Sequence, residues 1–116
     1  MEEALVEHRR SDRRYERRIA VDVTHEGSAF GAHTRNISLG GVFLEGERSL
    51  PFGARVSLKF RVPQQHDNVE VEGQVRWLEM EEGRLRGIGV RFEGLRARDV
   101  WALNKFFEQP SDEPQP

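Results

Sequence analysis

Two short stretches hold the side chains best suited to grip a ligand. Between His8 and Arg18 lie Arg9, Arg10, Arg13, Arg14, Arg17 and Arg18, in pairs four residues apart. Arginine grips phosphate bidentately, pairs with the O6 and N7 edge of guanine, and stacks its flat face on a base. Two or three arginines on one arm could therefore close over a guanine nucleotide. The second stretch is Asn36-Ile37-Ser38-Leu39-Gly40-Gly41. Asn36 offers an amide to a base edge and Ser38 a hydroxyl. Gly40 and Gly41 remove side chains, so that backbone N–H groups can approach a ligand. Each stretch also has a plainer reading. The arm could be a solvated or disordered run of charge, and the second stretch an ordinary Asx or Ser turn with a glycine bulge.

Catalytic chemistry finds no support. There is no phosphate-loop pattern, no His-Glu-x-x-His and no cysteine. His8, His25, His33 and His66 are scattered without metal-ligand spacing, so no metal site is expected. Ser38 follows His33, but no nucleophile-elbow sequence surrounds it. The chain reads as a binding protein, with no catalytic residues. The absence of cysteine is compatible with a cytoplasmic home. No apolar run approaches the length of a membrane span, and the three glutamates among the first seven residues do not make a signal peptide, so no membrane insertion is expected. The net charge of −2 conceals a split. Residues 8–18 carry six arginines against Asp12 and Glu16, a local +4, which leaves −6 for the remainder. A basic arm on an acidic body suggests one localised anion site and argues against nucleic acid as the partner.

The elements that must position these residues are mostly strands. Ile19 to Thr24 alternates, with Ile19, Val21 and Val23 on one face. His25 to Ser28 reads as a turn, with Gly27 free to take a positive φ. Ala29 to Ile37 reads as the returning strand, with a weaker pattern, and Val42 to Leu44 as a short one. Arg55 to Val62 is the clearest strand, ended by Pro63. Val69 to Leu78 places Val69, Val71, Gly73, Val75 and Trp77 on one face. That puts Trp77 in the core (or, as the less favoured alternative, in a stacking role near a ligand), and Gly73 suggests a bulge or bend. After the turn at Glu81-Glu82-Gly83, Leu85 to Phe92 pairs back, with Gly87 and Gly89 on the face away from Ile88 and Val90. Val100, Leu103 and Phe107 then fall at helical spacing, which predicts a helix over Ala97 to Glu108, stopped by Pro110. At 116 residues this is one domain: a flexible basic arm over 1–18, a barrel with its terminal helix over 19–109, and a disordered tail over 110–116. Strands joined mostly by hairpins favour a closed or nearly closed antiparallel barrel, because closure removes exposed edges.

The two stretches together resemble the signature of PilZ domains: Arg-x-x-x-Arg, then, about twenty residues on, Asp/Asn-x-Ser-x-x-Gly. Here these are Arg14-Tyr15-Glu16-Arg17-Arg18, directly before the strand Ile19-Ala20-Val21, and Asn36-Ile37-Ser38-Leu39-Gly40-Gly41. Gly73-Gln74-Val75-Arg76-Trp77 and Gly87-Ile88-Gly89-Val90-Arg91-Phe92 are also similar to the family, and the resemblance spans about residues 9–108. It implies a six-stranded antiparallel β-barrel with a C-terminal α-helix. It also implies a non-enzymatic bacterial receptor for cyclic di-GMP, whose arm changes conformation on binding and regulates a protein partner. On this resemblance Arg14 and Arg18 bind guanine and phosphate, Asn36 and Ser38 contact the other guanine, and Gly41 keeps room at the loop. Asn36 stands where Asp is commoner. Arg13, the long basic residue before the pair, goes in the family with an intercalated ligand dimer, so two ligands per domain are expected. Arg17 leaves Arg13–Arg17 open as a competing register; Arg14–Arg18 is preferred because Arg18 directly precedes the strand. The alternatives are a barrel of this fold that acts through protein contacts without nucleotide, and an arm that binds nucleic acid non-specifically.

Overall fold

The computed structural model describes residues 13–46, 48–65 and 68–109. The expectations for the first twelve residues of the arm and for the tail after Gln109 lie outside the described residues. Six strands form a closed antiparallel barrel in the order β1-β2-β3-β6-β5-β4, with β4 pairing back onto β1. They are β1 (Ala20–His25), β2 (Ser28–Ile37), β3 (Gly41–Glu45), β4 (Arg55–Arg61), β5 (Asn68–Glu81) and β6 (Arg84–Glu93); one helix, α1 (Ala97–Glu108), follows. The strands arise where apolar residues alternate. In β4, Val56, Leu58 and Phe60 point inward and are buried, while Arg55, Ser57, Lys59 and Arg61 point out. The tight turn between β1 and β2 places Glu26 and Gly27 at φ 48° and 83°, the left-handed conformation expected of Gly27.

The barrel interior is a single cluster built from Val21, Val23, Ile37, Val42, Leu44, Val75, Ile88 and Val90 with the inward residues of β4 and β5. Leu103 and Phe106 of α1 join that cluster. The buried stripe of the helix is Asp99, Ala102, Leu103 and Phe106. It is rotated from the expected Val100–Leu103–Phe107 line, because Phe107 turns instead to a ring on the arm, Tyr15. Asp99 is buried at the third helical position. Its Oδ2 accepts from the Arg96 backbone N–H at 3.0 Å and from Arg96 Nε at 3.1 Å, which satisfies an otherwise orphaned donor at the helix start.

Of the three register shifts, or β-bulges, among the described strands, two matter for everything that follows. In β2 the pairing with β3 slips between Thr34 and Asn36. In β5 the pairing with β6 slips between Val75 and Trp77. Each slip inserts one residue, Arg35 or Arg76, and flips the side chains beyond it to the other face. Trp77 is therefore not in the core as its place beside Val71 and Val75 predicts; it points outward and is 64 % exposed. Gly73 is not the bulge. It stays in register with Val56 and Phe92, and a Cβ there would come within 2.5 Å of Val90 Cγ1.

Candidate functional site

The end of the arm is fastened to the barrel and to the helix. Tyr15 N–H donates to Ile37 C=O at 2.9 Å and Ile37 N–H returns a bond to Tyr15 C=O at 3.0 Å. The buried Thr34 hydroxyl accepts from Ile19 N–H at 2.8 Å and donates to Arg17 C=O at 2.6 Å. The Tyr15 ring stacks on Phe107 with centroids 4.1 Å apart. Arg17 Nη2 donates to Gln109 C=O at 3.0 Å, and its guanidinium lies near both the Tyr15 and Phe106 rings. These contacts separate the two arginine registers. Arg13 and Arg17 both lie against the Tyr15 ring, and Arg17 also reaches Phe106 and Gln109 at the end of α1. Arg14 and Arg18 reach the outer surface of the barrel instead: Arg14 Nη1 donates to Asn36 Oδ1 at 2.8 Å, and Arg18 Nη1 pairs with Glu45 Oε1 at 3.1 Å.

The second motif is a tight turn between β2 and β3. Ser38 N–H donates to Gly41 C=O at 2.8 Å, and Ser38 Oγ accepts from Gly40 N–H at 3.0 Å and Gly41 N–H at 3.2 Å. Ser38 is fully buried. Gly41 faces β6, where a Cβ would collide with the Val90 carbonyl oxygen. Asn36 owes its outward direction to the bulge at Arg35. Without that inserted residue, the alternation from buried Thr34 would turn Asn36 inward and Ile37 out.

Between the two bulges lies a pocket of about 470 Å³, within the usual range for a small-ligand site. One wall is Arg14, Arg35 and Asn36; the other is Arg76, Trp77 and Glu79. Phe43 and Gly89 form the floor, where the Trp77 Cβ sits 2.9 Å from the position a Gly89 Cβ would take. Arg91 also lines the pocket and makes no ion pair among the described residues. Four arginines and a single carboxylate, Glu79, thus line the pocket, which leaves a surplus of positive charge. Arg35 donates from Nη1 and Nη2 to the two Glu79 oxygens at 3.0 and 3.1 Å. That hydrogen bonding pushes the Arg35 pKa up and the Glu79 pKa down, against partial desolvation that works the other way. Arg35 Nε also lies 3.7 Å from Glu45, so Arg18, Glu45, Arg35 and Glu79 form a chain of alternating charge.

Of the residues singled out in the sequence, Arg14 and Asn36 meet in the pocket wall. Arg13, Arg18, Ser38 and Gly41 do not line it; Ser38 and Gly41 are buried in the turn that follows Asn36. Sequence reasoning missed Arg35, Phe43, Arg76, Glu79 and Arg91, because each looks like an ordinary residue of a strand. A second, larger concavity of about 740 Å³ has Asp22, Glu70, Glu72 and Glu93 against Lys59 in its lining, a balance that repels anions. Among the described residues no group of acidic or histidine side chains is placed to hold a metal, and no helix is long and apolar enough to cross a membrane.

This barrel, with an Arg-x-x-x-Arg arm laid against an Asn-x-Ser-x-x-Gly turn, is the arrangement that the motifs imply. The family model for the PilZ domain matches residues 7–109. The chain belongs to the PilZ domain family. PilZ domains are generally regulatory receptors for cyclic di-GMP and not enzymes. Three solved structures share the fold. The Bacillus subtilis inhibitor of motility MotI/DgrA matches with a TM-score of 0.66 at 20 % identity, over 83 % of this chain and 50 % of that one. The PilZ domain of CeSA from a cellulose-synthesizing bacterium matches at 0.58 and 15 %, over 83 % and 96 %. PlzA of Borreliella burgdorferi, solved in complex with c-di-GMP, matches at 0.57 and 13 %, over 84 % and 35 %. This PilZ chain therefore spans about half the length of MotI/DgrA. At these identities the likeness is one of fold. No curated protein matches the chain.

Proposed function

We propose that this PilZ domain binds cyclic di-GMP in the pocket between the two bulges and passes the event to a protein partner through its arm and helix. The observation that carries the reading is the 2.8 Å bond from Arg14 to Asn36 at the rim of an arginine-lined pocket. It supports a single anion-attracting site served by both halves of the motif. Arg14 supplies guanine-edge and phosphate donors, and Asn36 an amide for a base. Arg18 reaches the ligand by leaving Glu45. That exchange is favourable, because an exposed ion pair contributes about 0–1 kcal/mol, whereas a charge-assisted hydrogen bond to phosphate contributes about 1.5–3 kcal/mol. A handful of such bonds supports affinity near micromolar, roughly −8 kcal/mol. Ser38 and Gly41 shape the turn that presents Asn36. Arg13 stands ready for a second ligand molecule stacked on the first.

The route outward runs along the arm. Arg14 and Arg18 face the ligand, while Tyr15 and Arg17, between them in sequence, hold Phe107 and Gln109. A pull on the two outer arginines strains the contacts to α1, so the surface offered to an effector changes with occupancy. Calorimetric titration of cyclic di-GMP into the wild type and Arg14→Ala tests the assignment. Micromolar binding that falls at least tenfold in Arg14→Ala supports it. Undiminished binding by the variant removes Arg14 from the site, and no binding by the wild type leaves the barrel as a protein-interaction module alone.

A further inference from the structure

Arg35 is not part of either sequence motif, yet it is the most tightly held cation in the pocket. We infer that Arg35 is a base-stacking residue of this site, and that Glu79 is the positioning residue that fixes its guanidinium for that role. The inference deepens the proposal above and rests on it.

The contacts divide the guanidinium into parts already used and a part left open. Both Nη atoms are spent on the two oxygens of Glu79, and Nε faces Glu45 at 3.7 Å. One side is covered by Phe43, whose ring centroid lies 4.5 Å from Cζ. The side chain nevertheless remains 40 % exposed and lines the pocket. What it still offers is the side away from Phe43. With its donor edge occupied by carboxylates, Arg35 is poorly placed to grip phosphate. A delocalised cation held in one orientation by a bidentate carboxylate is well placed to receive the π-face of a purine.

The bulge supports the same assignment. It is the inserted residue itself, Arg35, that is aimed out across β3 toward β5, and a matching insertion at Arg76 turns Trp77 into the same pocket from the other side. A pair of exposed side chains is a poor structural brace, so bracing β2 to β5 is a weak reason to spend two bulges. Presenting two flat groups to one cavity is a sufficient one. Phe43 serves as backing for the guanidinium; it is buried although it points away from the barrel core.

The test is calorimetry with cyclic di-GMP on the full chain, comparing wild type, Arg35→Lys, Glu79→Gln and the double variant, with thermal melts alongside. Lysine keeps the charge and loses the plane. It holds phosphate adequately as a point charge but loses most of a stacking contact. Arg35→Lys is therefore expected to weaken binding about tenfold, the loss typical of removing one base-stacking partner. Glu79→Gln is expected to weaken binding several-fold in the wild-type background and to change nothing further in the Arg35→Lys background, with melting temperatures close to wild type throughout. Arg35→Lys binding within twofold of wild type would overturn the inference, as would losses from Arg35→Lys and Glu79→Gln that simply multiply. Either result would leave the receptor reading intact. A wild-type chain that does not bind would overturn the receptor reading and this inference together.

Discussion

Thr34→Val removes one atom on which the attachment of the arm depends. The Thr34 hydroxyl is fully buried and joins Ile19 N–H to Arg17 C=O. Valine keeps the shape and the strand preference but has no hydroxyl. Ile19 is buried, so its N–H loses its partner at a cost of about 1–3 kcal/mol. Arg17 is half-buried, and water can partly replace the bond to its carbonyl, at roughly 0.5–1 kcal/mol. Burying a methyl in place of the hydroxyl offsets about 0.8 kcal/mol. The backbone bond from Thr34 N–H to Ile19 C=O, at 2.9 Å, survives. The net expectation is a destabilisation of about 2 kcal/mol, or roughly 6–10 °C in Tm for a domain of this size. Urea unfolding measures it as a lower midpoint with an unchanged m-value. Thr34→Ser keeps the hydroxyl and serves as the control, losing only about 0.8 kcal/mol of methyl burial. Because Arg18 lies between the two clamped residues, Thr34→Val also weakens cyclic di-GMP binding more than Thr34→Ser. A loss of stability below about 0.5 kcal/mol, or equal effects of the two variants, would refute the clamp.

Three further outcomes are expected. Gly41→Ala drives a Cβ into the Val90 carbonyl oxygen across the β3–β6 pairing, and the resulting overpacking lowers stability by about 1–3 kcal/mol, measurable by denaturant unfolding. In Trp101→Phe, which removes an exposed helix tryptophan, Trp77 is the remaining tryptophan; its emission should change on addition of cyclic di-GMP, and a constant spectrum at saturation would place the ligand elsewhere. Glu79 should titrate below the ordinary glutamate range by NMR, because Arg35 stabilises its charged form, and should return to that range in Arg35→Gln. Since the folded-state pKa is the lower one, whatever the pair contributes to stability is complete above the ordinary glutamate pKa and fades as pH falls through the depressed value.

The elements were legible because strand alternation and helical spacing are local. β4 and α1 show their periods directly, and the turn at Glu26-Gly27 announces itself by glycine. The register of Arg14 with Asn36 was legible through motif spacing. What stayed hidden depends on strand pairing. A bulge is a property of two strands, and the pattern of one strand alone does not locate it, so Trp77 read as core, and Arg35 and Arg76 as ordinary outward positions. The weak pattern of β2 was the visible trace of its bulge. Thr34 was equally silent, since a buried threonine in a strand announces neither partner. Ser38 and Gly41 were seen, but their first duties are to the turn and to β6, which only packing reveals.

The central claim is that Arg14 and Arg18 hold the first ligand molecule and Arg13 a second, while Arg17 stays tied to the end of the helix. The direct test is one calorimetric series with cyclic di-GMP on wild type, Arg14→Ala, Arg18→Ala and Arg13→Ala, read for both affinity and stoichiometry. The account predicts two ligands per wild-type domain, at least tenfold weaker binding in Arg14→Ala and in Arg18→Ala, and a stoichiometry that drops to one in Arg13→Ala while tight binding remains. Tight binding retained by Arg14→Ala and Arg18→Ala but abolished in Arg13→Ala would contradict it.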